Sequence, residues 1–107
     1  MKTYKVQITE DAKEDIKEIV TYIKVGLKEP QIATQHKKAF KDAIVKLKDY
    51  ANIYNVIDEE LVGRKGIRKV NVKNFMIFYN IDENEDIAQV FAVFYAKSNW
   101  QNNLKLR

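Results

Sequence analysis

The sequence predicts an α+β fold, in which a short N-terminal strand and an antiparallel two-helix hairpin pack on a small, mostly antiparallel sheet. Three observations lead there. Apolar residues recur at helical spacing through two stretches between residues 10 and 50. Beyond residue 67, three short runs are rich in β-branched and aromatic residues. With one Pro and three Gly in 107 residues, little chain is left for linkers, so a single domain spanning 1–107 is expected.

Tyr4, Val6 and Ile8 alternate with Lys5 and Gln7, the pattern of a strand with one buried face. Thr9 is placed to cap a helix whose first turn carries Glu10 and Asp11, both favourable at the positive end of the helix dipole. The stripe Ala12, Ile16, Ile19, Val20, Ile23 and Leu27 forms its core side, and Gly26 marks a frayed end. Pro30 opens a second helix with the stripe Ala33, His36, Phe40, Ala43, Ile44, Leu47 and Tyr50. The short separation folds the two helices back on one another. Residues 51–63 show little periodicity and read as an irregular connection.

Arg68 to Val72 follows as a strand with Arg68, Val70 and Val72 on one side. The chain turns at Lys73-Asn74 into a strand from Phe75 to Ile81, and the acidic turn Asp82-Glu83-Asn84-Glu85-Asp86 leads to another from Ile87 to Ala96. Apolar residues at consecutive positions imply strands covered on both faces. The tail, Ser98 to Arg107, reads as a short final helix around Trp100. The predicted order is β-α-α-β-β-β with a C-terminal tail or helix.

Composition narrows the function classes. A 46% hydrophobic and 32% charged chain buries a core instead of staying disordered. The absence of Cys excludes disulfides and thiolate metal sites and suits a reducing cytoplasm. The N-terminus alternates instead of presenting an apolar signal segment, and no run is long enough to span a bilayer, so a cytoplasmic protein without a membrane partner is expected. Residues 1–60 carry 11 Lys/Arg against 11 Asp/Glu, whereas residues 61–107 carry 8 against 4, so the net charge of +4 lies entirely in the second half. Five of those cations fall between Arg64 and Lys73 with no acidic residue among them. Cations concentrated on one sheet suit a polyanionic partner; the plainer reading is a solvated basic surface.

Catalytic material is sparse. The lone His36 sits on a helical apolar stripe and reads as structural, and Gly63-Arg64-Lys65-Gly66 does not match a phosphate loop. The acidic stretch 82–86 lacks the spacing of a calcium loop, so no metal or cofactor is expected. Lys, Arg, Tyr and Trp remain. They suffice for RNA cleavage, which needs an activated 2′-hydroxyl, a stabilised phosphorane and a protonated leaving oxygen. On that reading Arg68, Lys69, Lys73, Tyr79 and Lys97 converge at the end of the sheet. On the simpler one, Tyr79 is core and the cations form an exposed face.

The run Gly66-Ile67-Arg68-Lys69-Val70-Asn71-Val72-Lys73-Asn74-Phe75-Met76-Ile77-Phe78-Tyr79 resembles the G-x-R-x-x-x-V-x-N-Y-x-x-F-Y stretch of the RelE/ParE superfamily of bacterial type II toxins. Tyr95-Ala96-Lys97-Ser98-Asn99-Trp100 is similar to its Y-G-R-R-D-W close, and Thr9-Glu10-Asp11-Ala12 to its entry into the first helix. The resemblance implies the fold already derived and an acidic, partly disordered cognate antitoxin that binds the toxin in a hetero-oligomer. RelE-like members cut ribosome-bound mRNA with Lys, Arg and Tyr side chains; ParE-like members inhibit DNA gyrase and are not nucleases. Matched residue by residue, Arg68 and Lys97 fall on cationic family positions and are the catalytic candidates. Arg64, Lys65, Arg68, Lys69, Lys73 and Lys97 are the candidate nucleic-acid contacts. Met76 stands where RelE-like nucleases carry an Arg, Lys97-Ser98-Asn99 keeps one cation of two, and no catalytic Tyr or His match follows Trp100. The expected function is a toxin acting on translation, by mRNA cleavage or by ribosome or RNA binding. The alternatives are a non-nucleolytic gyrase inhibitor or an antitoxin-binding module without toxicity.

Overall fold

A computed structural model describes residues 2–107. Its elements run β1 (Lys5–Ile8), α1 (Glu10–Thr21), α2 (Pro30–Tyr50), α3 (Glu59–Val62), β2 (Arg68–Val72), β3 (Phe75–Asp82), β4 (Ile87–Tyr95) and α4 (Trp100–Leu106). The expected α+β class and element order hold. The four strands form one sheet in the order β1-β4-β3-β2, with β1 parallel to β4 and the other pairs antiparallel.

The sheet is covered on both sides, as the consecutive apolar residues of β3 and β4 require. On one face Val70, Val72, Ile77, Tyr79, Val90 and Val93 pack against Phe40, Ile44 and Leu47 of α2 and Ala12 of α1. On the other, Met76, Phe78, Phe91 and Ala92 pack with Val62 of α3 and Leu104 of α4. A bulge makes this division possible. Phe78 pairs with Ala92 and Tyr79 with Val90, which leaves Phe91 without a partner in the ladder. Phe91 and Ala92 therefore share the α4 face, and Val93 returns to the α2 face.

Local chemistry sets the boundaries. The Thr9 hydroxyl accepts from the Ala12 amide at 3.1 Å and caps α1. The helix does not fray at Gly26. It widens into a π-helical turn over Tyr22–Gly26, closed by the Leu27 amide on the Tyr22 carbonyl at 2.9 Å. A Cβ on Gly26 would lie 3.0 Å from the Tyr22 ring, so this close approach favours glycine. Residues 51–63 are not wholly irregular either. Asp58 caps the single turn α3, and Gly63 ends it in the left-handed region at φ 73°. Leu27 and Tyr50, the last residues of their predicted stripes, stay exposed because nothing packs beyond them.

The C-terminus is tied to α1. The Asp15 carboxylate accepts from the Val93 amide at 3.0 Å and from two Arg107 nitrogens at 2.8 and 2.9 Å. Arg107 also donates to the Phe91 carbonyl at 2.9 Å, and its guanidinium lies 5.2 Å from the centroid of the Phe94 ring. Bonding to Asp15 raises the guanidinium pKa further above its already high value. Removing this carboxylate strands a strand amide and a cation, so Asp15→Ala is expected to lower unfolding free energy by about 2–4 kcal/mol. Breaking the exposed Lys38–Asp42 pair by Lys38→Ala should cost under about 0.5 kcal/mol. Urea denaturation of both variants checks this, and similar small losses for the two would refute the anchoring role.

Candidate functional site

Strand alternation sends neighbouring cations of β2 to opposite faces. Arg68 points to the α2 side, where its Nη1 donates to the Tyr54 carbonyl and, at 3.3 Å, to the Asn52 carbonyl. Directly across the ladder, Tyr79 donates its hydroxyl to the Ala51 carbonyl, and the Tyr54 ring meets the Tyr79 ring edge-on at 6.5 Å. Arg68 and Tyr79 together clamp the 51–54 connection to the sheet. Tyr79 is fully buried, and loss of solvent pushes its phenol pKa well above the usual tyrosine value, with the Arg68 cation opposing only in part.

Lys69 faces α4 instead. Its ammonium lies 6.0 Å from the Trp100 ring centroid and 3.7 Å from the Met76 sulfur. Arg64 donates to the Leu104 carbonyl at 3.1 Å and sits 5.0 Å over the Phe91 ring. Lys105, which the sequence reading did not single out, lies beside Gly63; its one legible signal was a cation in the last turn of a helix. Lys65 is exposed on the same connection. Lys73 and Lys97 occupy turns at the end of the sheet, brought together by the Ala96 amide on the Asn74 carbonyl at 2.9 Å. Lys73 adopts a left-handed φ of 54° to make its turn.

The expected convergence does not occur. Arg68 pairs with Tyr79 and Tyr95 with Phe75, four positions apart along β3, so Arg68 and Tyr95 stand about 13 Å apart along the sheet, and Lys97 lies in the turn beyond Tyr95. The structure groups Arg64, Lys69 and Lys105 around α4, leaves Lys65 exposed on the adjoining connection, sets Lys73 and Lys97 at the sheet end, and turns Arg68 toward α2. Among the described residues, none of these cations lies within 4 Å of a carboxylate; the ion pairs involve Lys2, Lys13, Lys38 and Arg107.

A second feature escaped the sequence reading. Between the hairpin tip and the end of the sheet lies an apolar groove of about 680 Å³, with Ile19, Ile23, Ile32, Phe75 and Tyr95 in its lining and Glu18 and Glu29 among its polar residues. His36 also lines it. Its Nδ1 donates to the Ile32 carbonyl at 2.9 Å and its ring packs edge-on against Phe40 and Phe75, which is the structural role expected of it.

The family model described as the ParE toxin of type II toxin–antitoxin system, parDE, matches residues 6–100. The chain belongs to the ParE toxin family. Its fold is similar to that of a chromosomal ParDE toxin–antitoxin system from P. aeruginosa, at 15% identity and TM-score 0.71 over 89% of this chain and 98% of that one. A RelBE2 toxin–antitoxin complex from Mycobacterium tuberculosis is similar at 17% identity and TM-score 0.62, over 87% and 98%. A variant of E. coli toxin RelE in the free state is similar at 12% identity and TM-score 0.64, over 97% and 95%. No curated protein matches the sequence. Among the described residues, no helix is long and apolar enough to cross a membrane.

In this ParE-family chain the position of the Tyr79 proton can be measured. Folding raises the phenol pKa, so the stabilisation is complete below the unfolded value near about 10 and declines as pH rises beyond it, where only the unfolded state releases the proton. Tyr79→Phe should abolish this alkaline loss and lower stability at neutral pH by about 1–2 kcal/mol, because the Ala51 carbonyl loses its donor. Denaturation at several alkaline pH values reads both effects, and an unaltered pH slope in the variant would contradict them.

Proposed function

We infer that this chain is a growth-inhibiting toxin that acts without cutting RNA, with DNA gyrase as its target, and that a cognate antitoxin neutralises it. The observation that carries this reading is the engagement of Arg68, the best-placed catalytic candidate, with the carbonyls of Asn52 and Tyr54. A guanidinium held by internal carbonyls on the α2 side does not meet a scissile phosphate on the other. The remaining nuclease inventory is equally poor. Met76 is buried and cannot hold a phosphate, Tyr79 keeps its proton in the core, and Lys97 stands at the opposite end of β2 and β3 from Arg68. The family match to ParE toxins supports the same arm.

One observation favours action on translation as a second reading. The cations around α4 lack internal carboxylate partners, and such a surface suits the RNA backbone, where phosphate contacts dominate affinity. The same surface suits an acidic antitoxin segment, which would mask it. A module that binds antitoxin but has lost toxicity keeps that surface and causes no growth arrest.

Expression of the chain alone should arrest growth, and co-expression with the product of an adjacent antitoxin gene should relieve the arrest. Plasmid recovered from arrested cells should lose negative supercoiling while transcript ends stay unchanged. New cuts within translated frames that vanish in Arg68→Ala or Lys97→Ala would overturn the gyrase reading in favour of the nuclease. Lack of arrest would leave the non-toxic module. Charge reversal by Lys69→Glu with Lys105→Glu should weaken antitoxin binding by about tenfold or more at low ionic strength and by less in about 1 M salt, where charges are screened within about 3 Å. Titration calorimetry at two salt concentrations tests it, and unchanged affinity would move the antitoxin off the α4 face.

A further inference from the structure

Beyond residue 60 the chain carries eight Lys and Arg. Two are occupied inside the fold, Arg68 on the carbonyls of Asn52 and Tyr54 and Arg107 on Asp15. The other six are Arg64, Lys65, Lys69, Lys73, Lys97 and Lys105. Among the described residues, none of the six has a carboxylate within 4 Å. The sequence explains why. No acidic residue occurs from 61 to 81 or from 87 to 107. In the turn between those stretches, Glu83 and Asp86 lie 3.9 and 3.1 Å from the Lys2 ammonium. Glu59 and Glu60 of α3 come before Gly63 and take part in no ion pair.

The free cations follow one edge of the molecule. β2 is the last strand of the sheet order, so its outer side has no neighbouring strand. Arg64 precedes it, held by the Leu104 carbonyl and the Phe91 ring, and Lys105 stands beside it next to Gly63. Lys69 and the exposed Asn71 share the α4 side of β2 by alternation, and Lys73 lies in the turn that ends it. The five residues of β2 span about 17 Å, the length of about five base pairs of a duplex. A stiff support holds these charges in place, so little side-chain freedom is lost on contact.

The chemistry of this edge selects among polyanions. Unpaired bases are gripped by stacking on open aromatic rings. Here each ring already carries a cation of the chain itself: Phe91 under Arg64, Trp100 under Lys69 and Phe94 under Arg107. α4 has seven residues and is about 10 Å long, too short to read base edges along a major groove. What the edge offers is charge and the exposed amides of Asn71 and Asn102. Those are the groups that contact a duplex backbone without reading its sequence.

We propose that the β2–α4 edge binds the phosphate backbone of duplex DNA without sequence preference. The choice of a DNA duplex over an RNA duplex rests on the gyrase reading above, because DNA is the polyanion that a gyrase holds. On that reading the toxin engages enzyme and DNA together, and an antitoxin segment on the same cations competes with the duplex.

Fluorescence anisotropy of a labelled duplex of about 20 base pairs, titrated with the purified chain, tests this. Binding should reach micromolar affinity in about 50 mM salt, and two unrelated sequences should agree within about twofold. The pair K69Q/K105Q should weaken binding by about tenfold in low salt. It should also flatten the slope of log affinity against log salt by about 1.8, at about 0.9 per phosphate contact. The pair K37Q/K41Q removes the same charge from exposed positions of α2 and should leave the slope unchanged. Circular dichroism checks that both variants fold. Failure to bind the duplex, equal weakening by the two variants, or tighter binding of an RNA of the same length, single- or double-stranded, would each overturn the DNA edge. Supercoiling by purified gyrase is assayed alongside. A chain that inhibits gyrase but does not bind the duplex keeps the gyrase reading and refutes the DNA edge. A chain that binds the duplex with the expected change of slope but leaves gyrase active does the reverse.

Discussion

Where β1 stops at Ile8, opposite Val90, the outer edge of β4 continues for five more residues without a neighbouring strand. The Asp15 carboxylate meets this edge at the Val93 amide, and Arg107 meets it at the Phe91 carbonyl. The two side chains then bind each other through the two terminal guanidinium nitrogens. One ion pair thereby ties the first helix, the central strand and the last helix, which are contributed by positions 92 residues apart. The bidentate geometry matters, since a planar fork satisfies two carboxylate oxygens without further ordering. With that edge closed, α1 and α4 are fixed against opposite faces of one sheet, and the surfaces they carry keep fixed relative positions.

That arrangement separates the cations by role. Alternation along β2 puts Arg68 and Lys69 on opposite faces although they are adjacent in sequence. Arg68 is half-buried on the α2 side, where the carbonyls at 52 and 54 accept its hydrogen bonds. Lys69 and Arg64 fall over the Trp100 and Phe91 rings around α4 while their charges lack a carboxylate partner, and Lys105 stands exposed beside Gly63. Catalysis needs several groups converged on one atom, whereas recognition of an acidic surface needs only unpaired charge on a stable support. The unpaired cations around α4 meet the second requirement.

The sequence showed the two helices, the capping Thr9 and the doubly covered strands because each leaves a periodic trace over many residues. Three features left no such trace. The bulge at Phe91 is one unpaired residue inside an apolar run, where side-chain alternation is already obscured. The turn α3 is only four residues long, too short for a stripe, though Asp58 and Gly63 flank it as cap and stop signals. The groove depends on residues from α1, α2, β3 and β4 meeting at one end, and no local pattern encodes that meeting. Arg68 is the instructive case. Its place on the same side as Val70 and Val72 already put it on the inner face, and an inward cation implies an internal partner before it implies a substrate.

Met76 connects the missing chemistry to the packing. It is 4% exposed and joins Phe78, Phe91 and Leu104 in the cluster beneath α4. Trp100 lies 5.5 Å from the Phe78 ring in the same layer, and Lys69 reaches over both Trp100 and the Met76 sulfur. An arginine at this position, which the resemblance to RelE-like nucleases would imply, would put an unpaired charge under the helix at a cost of several kcal/mol. It would be relieved only if α4 lifted to admit water or phosphate. The apolar residue and the seated helix therefore support each other: Met76 lets α4 close on the sheet, and the closed helix leaves no room for a phosphate-binding cation there. An apolar Met76 beneath a seated α4 is the arrangement that the proposed non-cleaving toxin requires.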